Sequence, residues 1–419
     1  MTTTPADCCA DSEQKLLPVE LARERILQAV QPITAVEQLH LRSALGRVLV
    51  EPLIANVDVP PFANSAMDGY AVRSQDCTGS RETTLELIGT SFAGRPFTGE
   101  VSDRQCVRIM TGAVIPEGAD AVLMQEQVKR DGEQISFDSR SVKPGLNVRY
   151  AGEDSRQGDI VLEPGIKLGA AEIGLLASVG VGEVRVSRPL RVAFFSTGDE
   201  LAAIGTPLVK GQIYDSNRYA LFGMLSKPGI ECYDLGVIPD RREAVRAAFQ
   251  RAGEMADLIL TSGGVSVGEA DYVTETLGEL GKINFWRMAM KPGKPLAFGK
   301  MGNAVFFGLP GNPVSVMVTF YQFVLPTIRK MSGEKEREAL LIKARCSQDL
   351  KKAPGRMEFQ RGILKRENDA SWSVSSTGIQ GSHVLSSMSN SNCLILLPAE
   401  SDGAKYGELV TVQPFMDFD

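Results

Sequence analysis

Leu190-Arg-Val-Ala-Phe-Phe-Ser-Thr-Gly-Asp-Glu200 is the stretch on which the fold turns. Its apolar run, Arg191–Phe195, is too short for a globular helix and ends on a glycine with polar neighbours. That reads as a buried strand running into a loop. Downstream the same texture alternates with helical periodicity. Asn217–Leu225 reads as a helix, Cys232–Val237 as a strand and Arg241–Met255 as a charged amphipathic helix. Leu258–Thr261 is a strand, Tyr272–Leu280 a helix, Ile283–Met288 and Ala304–Phe307 strands, and Val314–Met331 a long apolar helix. Strand–helix alternation predicts a mostly parallel, doubly wound sheet with helices on both faces.

Outward from this core the pattern changes on both sides. Residues 1–14 are polar and read as a disordered tail. A helix is predicted from Pro18 to Pro32 and a second over Ala35–Ala44. From Asn56 to Val142, short β-rich runs (Thr84–Leu87, Cys106–Met110, Ala121–Gln125, Gln134–Phe137) alternate with turns such as Asp131-Gly132. Gly145–Val186 returns to short strands with one helix, Ala170–Val179. This order suits a domain split by an insertion: 15–55 with 145–186 as an elongated helical and strand linker, and 56–144 as a β-rich inserted domain. The α/β domain then spans 187–332. After Ser332 the helices stop, and five short strand candidates predict a C-terminal β-barrel or sandwich over 333–419.

Composition narrows the function. The 419 residues carry a net charge of -6, which disfavours general nucleic-acid binding but leaves room for a local basic site. Seven cysteines include no CxxC pair, and the two histidines, His40 and His383, are too few for a His-rich metal site. No basic, apolar signal segment opens the chain, and glycine and proline interrupt its most apolar stretch, Ala304–Ile328. A cytoplasmic protein in a reducing compartment, without membrane partners, is predicted.

In an open parallel sheet, ligands bind beyond the carboxyl ends of the strands. Four loops there carry unusual chemistry. Ser196-Thr-Gly-Asp-Glu200 offers a flexible glycine and carboxylates for a hard cation. Thr261 to Tyr272 contains Ser262, Gly263, Gly264, Ser266 and Asp271. Paired glycines and hydroxyls ahead of a helix suit a phosphate, with a divalent cation needed to reconcile Asp271 with it. Lys291-Pro-Gly-Lys-Pro295 holds two ammonium groups on a stiffened loop, suited to oxyanions. Leu309-Pro310-Gly311-Asn312-Pro313-Val314-Ser315 opens the long helix as another anion site. Each loop alone reads more readily as an ordinary turn; their succession after strands of one sheet points to a phosphorylated ligand with a divalent cation.

The same loops resemble the signature segments of the MoeA and gephyrin E-domain family of molybdopterin molybdenumtransferases. So do Asn64-Ser-Ala-Met-Asp-Gly-Tyr-Ala-Val72, Arg108-Ile-Met-Thr-Gly-Ala113, Glu153-Asp154 and Pro354-Gly-Arg-Met-Glu-Phe-Gln-Arg-Gly362. The resemblance runs, in order, over about residues 15 to 415. It implies a molybdopterin-binding α/β domain and an elongated homodimer whose cleft is shared with the partner's β-rich domain. It implies adenylylated molybdopterin and molybdate as substrates, Mg²⁺ as cofactor, AMP as product, and transient contact with other proteins of molybdenum cofactor biosynthesis. Carried over, Asp68, Thr111, Glu200, Asp271, Lys291 and Lys294 are the catalytic candidates. Glu200, Asp271 and Asp240 are the metal candidates. Ser262, Gly263, Gly264, Ser266, Pro310, Gly311, Asn312, Pro313, Ser315, Arg356 and Ser386 are the substrate-binding candidates. Asp154 matches a further acid. Arg241 follows Asp240 where an acidic pair is common, which weakens that metal assignment. His383 reads as a local hydrogen-bonding residue, and Trp286 and Met288 as core. An adenylyltransferase of the same α/β type would lack the flanking domains, and a gephyrin-like scaffold could dispense with the acids retained here.

Overall fold

The computed structural model describes residues 16–77, 82–263, 275–276, 278–279 and 281–418. The predicted tail and the loop from Gly264 through Tyr272 lie outside them.

The central sheet has six strands, in the order Ile230–Ile238, Leu190–Thr197, Leu258–Ser262, Ala304–Leu309, Pro295–Met301, Gly281–Arg287. The first four run parallel. Pro295–Met301 runs antiparallel to both of its neighbours. The sequence reading did not anticipate this strand. Its consequence is geometric: a chain that reverses direction twice brings the 288–294 connection to the same edge as the ends of the parallel strands.

Period-two alternation sorts the strand residues between two cores. Val192, Phe194, Leu260 and Phe307 face one side. There they meet Leu221, Met224 and Leu225 of the Ser216–Leu225 helix and the apolar helix beginning at Pro313. Ala193, Phe195, Ile259 and Phe306 face the other, against Val245, Phe249 and Ala252 of Arg242–Met255. Phe249 stands edge-on to Phe195 and Phe306, with ring centroids 5.1 and 5.6 Å apart.

The helix Val19–Ala29, expected within the linker, sends Val19, Ala22 and Ile26 into the first of these cores. Its Arg23 resolves a defect in the long helix. Pro326 has no N–H to give the Gln322 carbonyl, and the helix widens to a π turn over Phe320–Val324. Arg23 Nε donates to that carbonyl at 3.2 Å and Nη2 to Gln322 Oε1 at 2.7 Å. Gln322 in turn donates to Gln413 of the C-terminal domain at 3.0 Å.

Residues 35–44, expected as a helix, form instead the strand Val36–His40 and a 3₁₀ turn, Leu41–Ala44. The strand pairs antiparallel with Glu183–Ser187. Five residues of long-range ladder outweigh a weak local preference for helix. Leu41, Leu49, Leu162, Leu176, Val184 and Val186 make the core there. The insertion carries a six-stranded sheet in which Gly69–Val72, from the Asn64–Val72 motif, lies between Ala121–Met124 and Gln105–Ile109. The C-terminal strands close a five-stranded barrel, because Met357–Arg366 pairs with both Trp372–Ser376 and Cys393–Leu397. No helix among the described residues is long and apolar enough to cross a membrane.

Candidate functional site

The carboxyl edge of the sheet opens into a cleft of about 930 Å³. Gly198, Glu200, Asp240, Gly263, Lys291, Lys294, Pro310, Gly311, Asn312, Ser315 and Arg356, all candidates or loop residues from the sequence, line it together. Their convergence follows from the topology, since Thr197, Ile238, Ser262 and Leu309 end parallel strands at one edge.

Each loop is shaped by close approach. Gly198 has φ +146°, and a Cβ there would lie 2.5 Å from the Glu200 carboxylate. In the lysine loop Pro292 and Gly293 are buried while Lys291 and Lys294 are exposed, so the buried pair presents two cations to the cleft. Gly293 has φ +101°, and a Cβ would sit 2.7 Å from Thr319 Oγ1. Asn312 stands at the N-cap position of the long helix, without a side-chain capping bond, and Pro313 takes its first turn, so the helix N-terminus adds partial positive charge at the cleft. Opposite charge comes from Glu200 and Asp240. Burial, then the neighbouring Asp199 and Glu200 carboxylates, raise the Asp240 pKa. Among the described residues no group of three acids, histidines or cysteines is arranged to hold a metal ion. Asp271, the third metal candidate, lies outside them, as do Gly264 and Ser266.

Several candidates lie apart from the cleft wall. Ser262 is buried, and its Oγ accepts from Asn217 Nδ2 at 2.7 Å. Pro313 shapes the helix start behind the wall. Ser386, itself exposed, opens the short helix Ser386–Ser389, and the cleft takes Gln380, Gly381 and Ser382 from the preceding segment instead. Asp68 and Thr111 stand on the inserted domain and do not line the cleft of their own chain. They are nevertheless joined: Thr111 donates its N–H and its hydroxyl to Asp68 Oδ1, both at 2.7 Å. Those bonds, the backbone one first, hold the Asp68 pKa below the ordinary carboxylate value.

The sequence reading missed two connecting residues. Asn217 Nδ2 reaches both Ser262 Oγ and the Gly311 carbonyl, each at 2.7 Å, and so ties two cleft loops together. Glu358, buried on the barrel, lies 3.2 Å from Lys291 Nζ. Glu358 stood inside a motif quoted for resemblance, but no local pattern announces its partner 67 residues earlier.

Fold and cleft together define a multidomain α/β protein with a cleft at the sheet edge lined by both basic and acidic side chains. Three family models cover the chain in sequence: the MoeA N-terminal region (domains I and II) over 17–180, a probable molybdopterin binding domain over 193–330, and the MoeA C-terminal region (domain IV) over 343–415. The chain belongs to the MoeA family of molybdopterin molybdenumtransferases. It is 47% identical to the molybdopterin molybdenumtransferase of Haemophilus influenzae, with 96% of this chain and 99% of that protein covered. The Nostoc sp. protein of the same name is 38% identical, over 86% of this chain and 85% of its own. The crystal structure of a molybdopterin biosynthesis MoeA protein from Pyrococcus horikoshii OT3 superposes with a TM-score of 0.83 at 31% identity, covering 96% of this chain and all of that one.

Proposed function

We propose that this enzyme inserts molybdenum into molybdopterin during cofactor biosynthesis, taking adenylylated molybdopterin and molybdate and releasing AMP. The observation that carries this reading is the meeting of Lys291, Lys294, Arg356 and a helix N-terminus with Glu200 and Asp240 in one cleft. Pyrophosphate and molybdate both need cations fixed before reaction, and prepositioned charge in a confined cleft lowers the barrier without reorganisation. Lys291 and Lys294 hold the oxyanion oxygens, and the Gly311–Asn312 turn receives the second anionic group.

The donor set fits Mg²⁺: hard carboxylate oxygens face the cleft, and burial first, then the neighbouring Asp199 and Glu200 carboxylates, disfavour the charged form of Asp240, which a bound cation would favour. Glu200 and Asp240 would hold it, with Asp271 as the third acid. Bound there, Mg²⁺ would neutralise phosphate charge as a Lewis acid.

Homodimerisation belongs to the same proposal. Asp68 and Thr111 form a bonded acid–hydroxyl pair away from the cleft of their own chain, and a second subunit gives such a pair a cleft to face. Ile204, Val209, Ile213, Tyr219 and Phe222 of the α/β domain are each at least half exposed, apolar side chains that a subunit contact would cover. Incubating the protein with adenylylated molybdopterin, Mg²⁺ and molybdate tests the reaction by AMP release. Release no faster than without enzyme overturns it. Sedimentation tests the assembly, and a concentration-independent monomer mass excludes the shared cleft.

A further inference from the structure

The lysine loop is a strand of the barrel as much as a loop of the sheet. Met290–Lys291 pairs parallel with Met357–Glu358, and Met357 N–H donates to the Ala289 carbonyl at 2.9 Å. This pairing brings Glu358, only 4% exposed, under Lys291, whose side chain is half exposed at the cleft. Nζ and Oε1 are 3.2 Å apart, and the same Oε1 accepts from buried Gln360 Nε2 at 3.2 Å. Arg361 is the other nearby cation, but its guanidinium donates to Ser387 Oγ and to the carbonyls of Phe359 and Gly381. Arg361 feels the Glu358 charge without bonding to it; among the described residues Lys291 is the cation in direct ion-pair contact with Glu358.

We propose that Glu358 is a positioning residue: a buried counter-ion that orients Lys291 and moderates its hold on an oxyanion in the cleft. The inference rests on reading this cleft as an oxyanion site. A carboxylate fixed in the protein interior competes with any bound oxyanion for the same ammonium, at a distance where two charges interact strongly. Lys291 thus stays aimed at the cleft in the free enzyme, and its grip on a ground-state anion is weakened.

The test is a cycle of four full-length proteins, wild type, Glu358→Gln, Lys291→Met and the double variant, titrated calorimetrically with pyrophosphate at low ionic strength. Glu358→Gln binds pyrophosphate about three- to tenfold more tightly than wild type, because the competing charge is gone. On the Lys291→Met background the same substitution changes affinity less than about twofold, since its effect passes through Lys291. Glu358→Asp keeps the charge but withdraws it by one methylene; it gives an intermediate gain and serves where the glutamine variant does not fold. Unchanged or weakened binding in Glu358→Gln, or an equal effect with and without Lys291, overturns the counter-ion. AMP release by the wild type is read in parallel. Its absence overturns the proposed reaction, whereas loss of coupling in the pyrophosphate cycle overturns the role of Glu358.

Discussion

Thr111 gives both its N–H and its hydroxyl to a single oxygen of Asp68, each at 2.7 Å. Two donors on one exposed carboxylate keep it ionised and fix its direction, on a domain that does not line the cleft of its own chain. In the proposed dimer this acid would act in the cleft of the other subunit. Thr111→Val removes the hydroxyl donor and keeps the backbone one. The expected outcome is a roughly ten- to hundredfold loss of turnover with an unchanged melting temperature. AMP release and calorimetry on the same preparation check it, and wild-type turnover would remove Thr111 from the site.

Arg188 and Asp257 set a limit to acid stability. Burial alone would raise the Asp257 pKa, but the paired bonds from Arg188, both 2.7 Å, and the Arg191 N–H at 2.9 Å outweigh it and leave the pKa lowered. A carboxyl with a depressed folded-state pKa adds stability that is fully present above its unfolded value, near about 3.9. That stability disappears as pH falls through the folded value. Urea unfolding of wild type should therefore weaken below about pH 4, with a smaller acid-dependent loss in Asp257→Asn. At neutral pH the variant should be about 1–3 kcal/mol less stable, since Arg188 loses its charged partner.

Arg23 closes the gap that Pro326 leaves in the long helix. Arg23→Met keeps much of the aliphatic stem but leaves the Gln322 carbonyl and Oε1 without these donors. A cost of about 2–3 kcal/mol is expected, read from the urea midpoint at unchanged slope. Faster hydrogen exchange in Val19–Ala29 should accompany it, because that helix is docked through the same side chain.

Below the lysine loop, the Thr319 hydroxyl is buried without a hydrogen-bond partner, close to Gly293. Thr319→Val replaces it with a methyl of similar size and should stabilise the protein by about 1 kcal/mol. Gly293→Ala acts in the opposite sense. Its φ of +101° and the 2.7 Å approach to Thr319 force the loop to move, and weaker pyrophosphate binding should accompany the lower melting temperature. A Gly293→Ala protein with both quantities unchanged would show that the loop does not depend on this contact.

Four buried or half-buried thiols should be inert. Burial is the largest cause in each case; it pushes Cys77 and Cys232 to about 11 and Cys106 and Cys393 to about 12. At pH 8 the thiolate fraction of the first pair is on the order of one in a thousand. Timed iodoacetamide labelling with peptide mass spectrometry should leave these four unmodified in the native protein and modify them after unfolding. Rapid native labelling of Cys106 would contradict the burial described here.

Local chemistry alone set much of this molecule. The apolar run Arg191–Phe195, broken by Gly198, dictates a buried strand and a turn; Lys291-Pro-Gly-Lys-Pro295 dictates two cations on a stiff loop. These readings need only neighbours a few residues apart, which is why sequence carries them. Other features depend on partners far along the chain. Val36–His40 became a strand because Glu183–Ser187 offered it a ladder. The antiparallel Pro295–Met301 put the lysine loop at the cleft. Glu358 meets Lys291 because a barrel closes beside the sheet. Hydrogen bonds and ion pairs between distant segments exist only once the chain has paid the entropy of bringing them together, so no local pattern of residues encodes which of them will form.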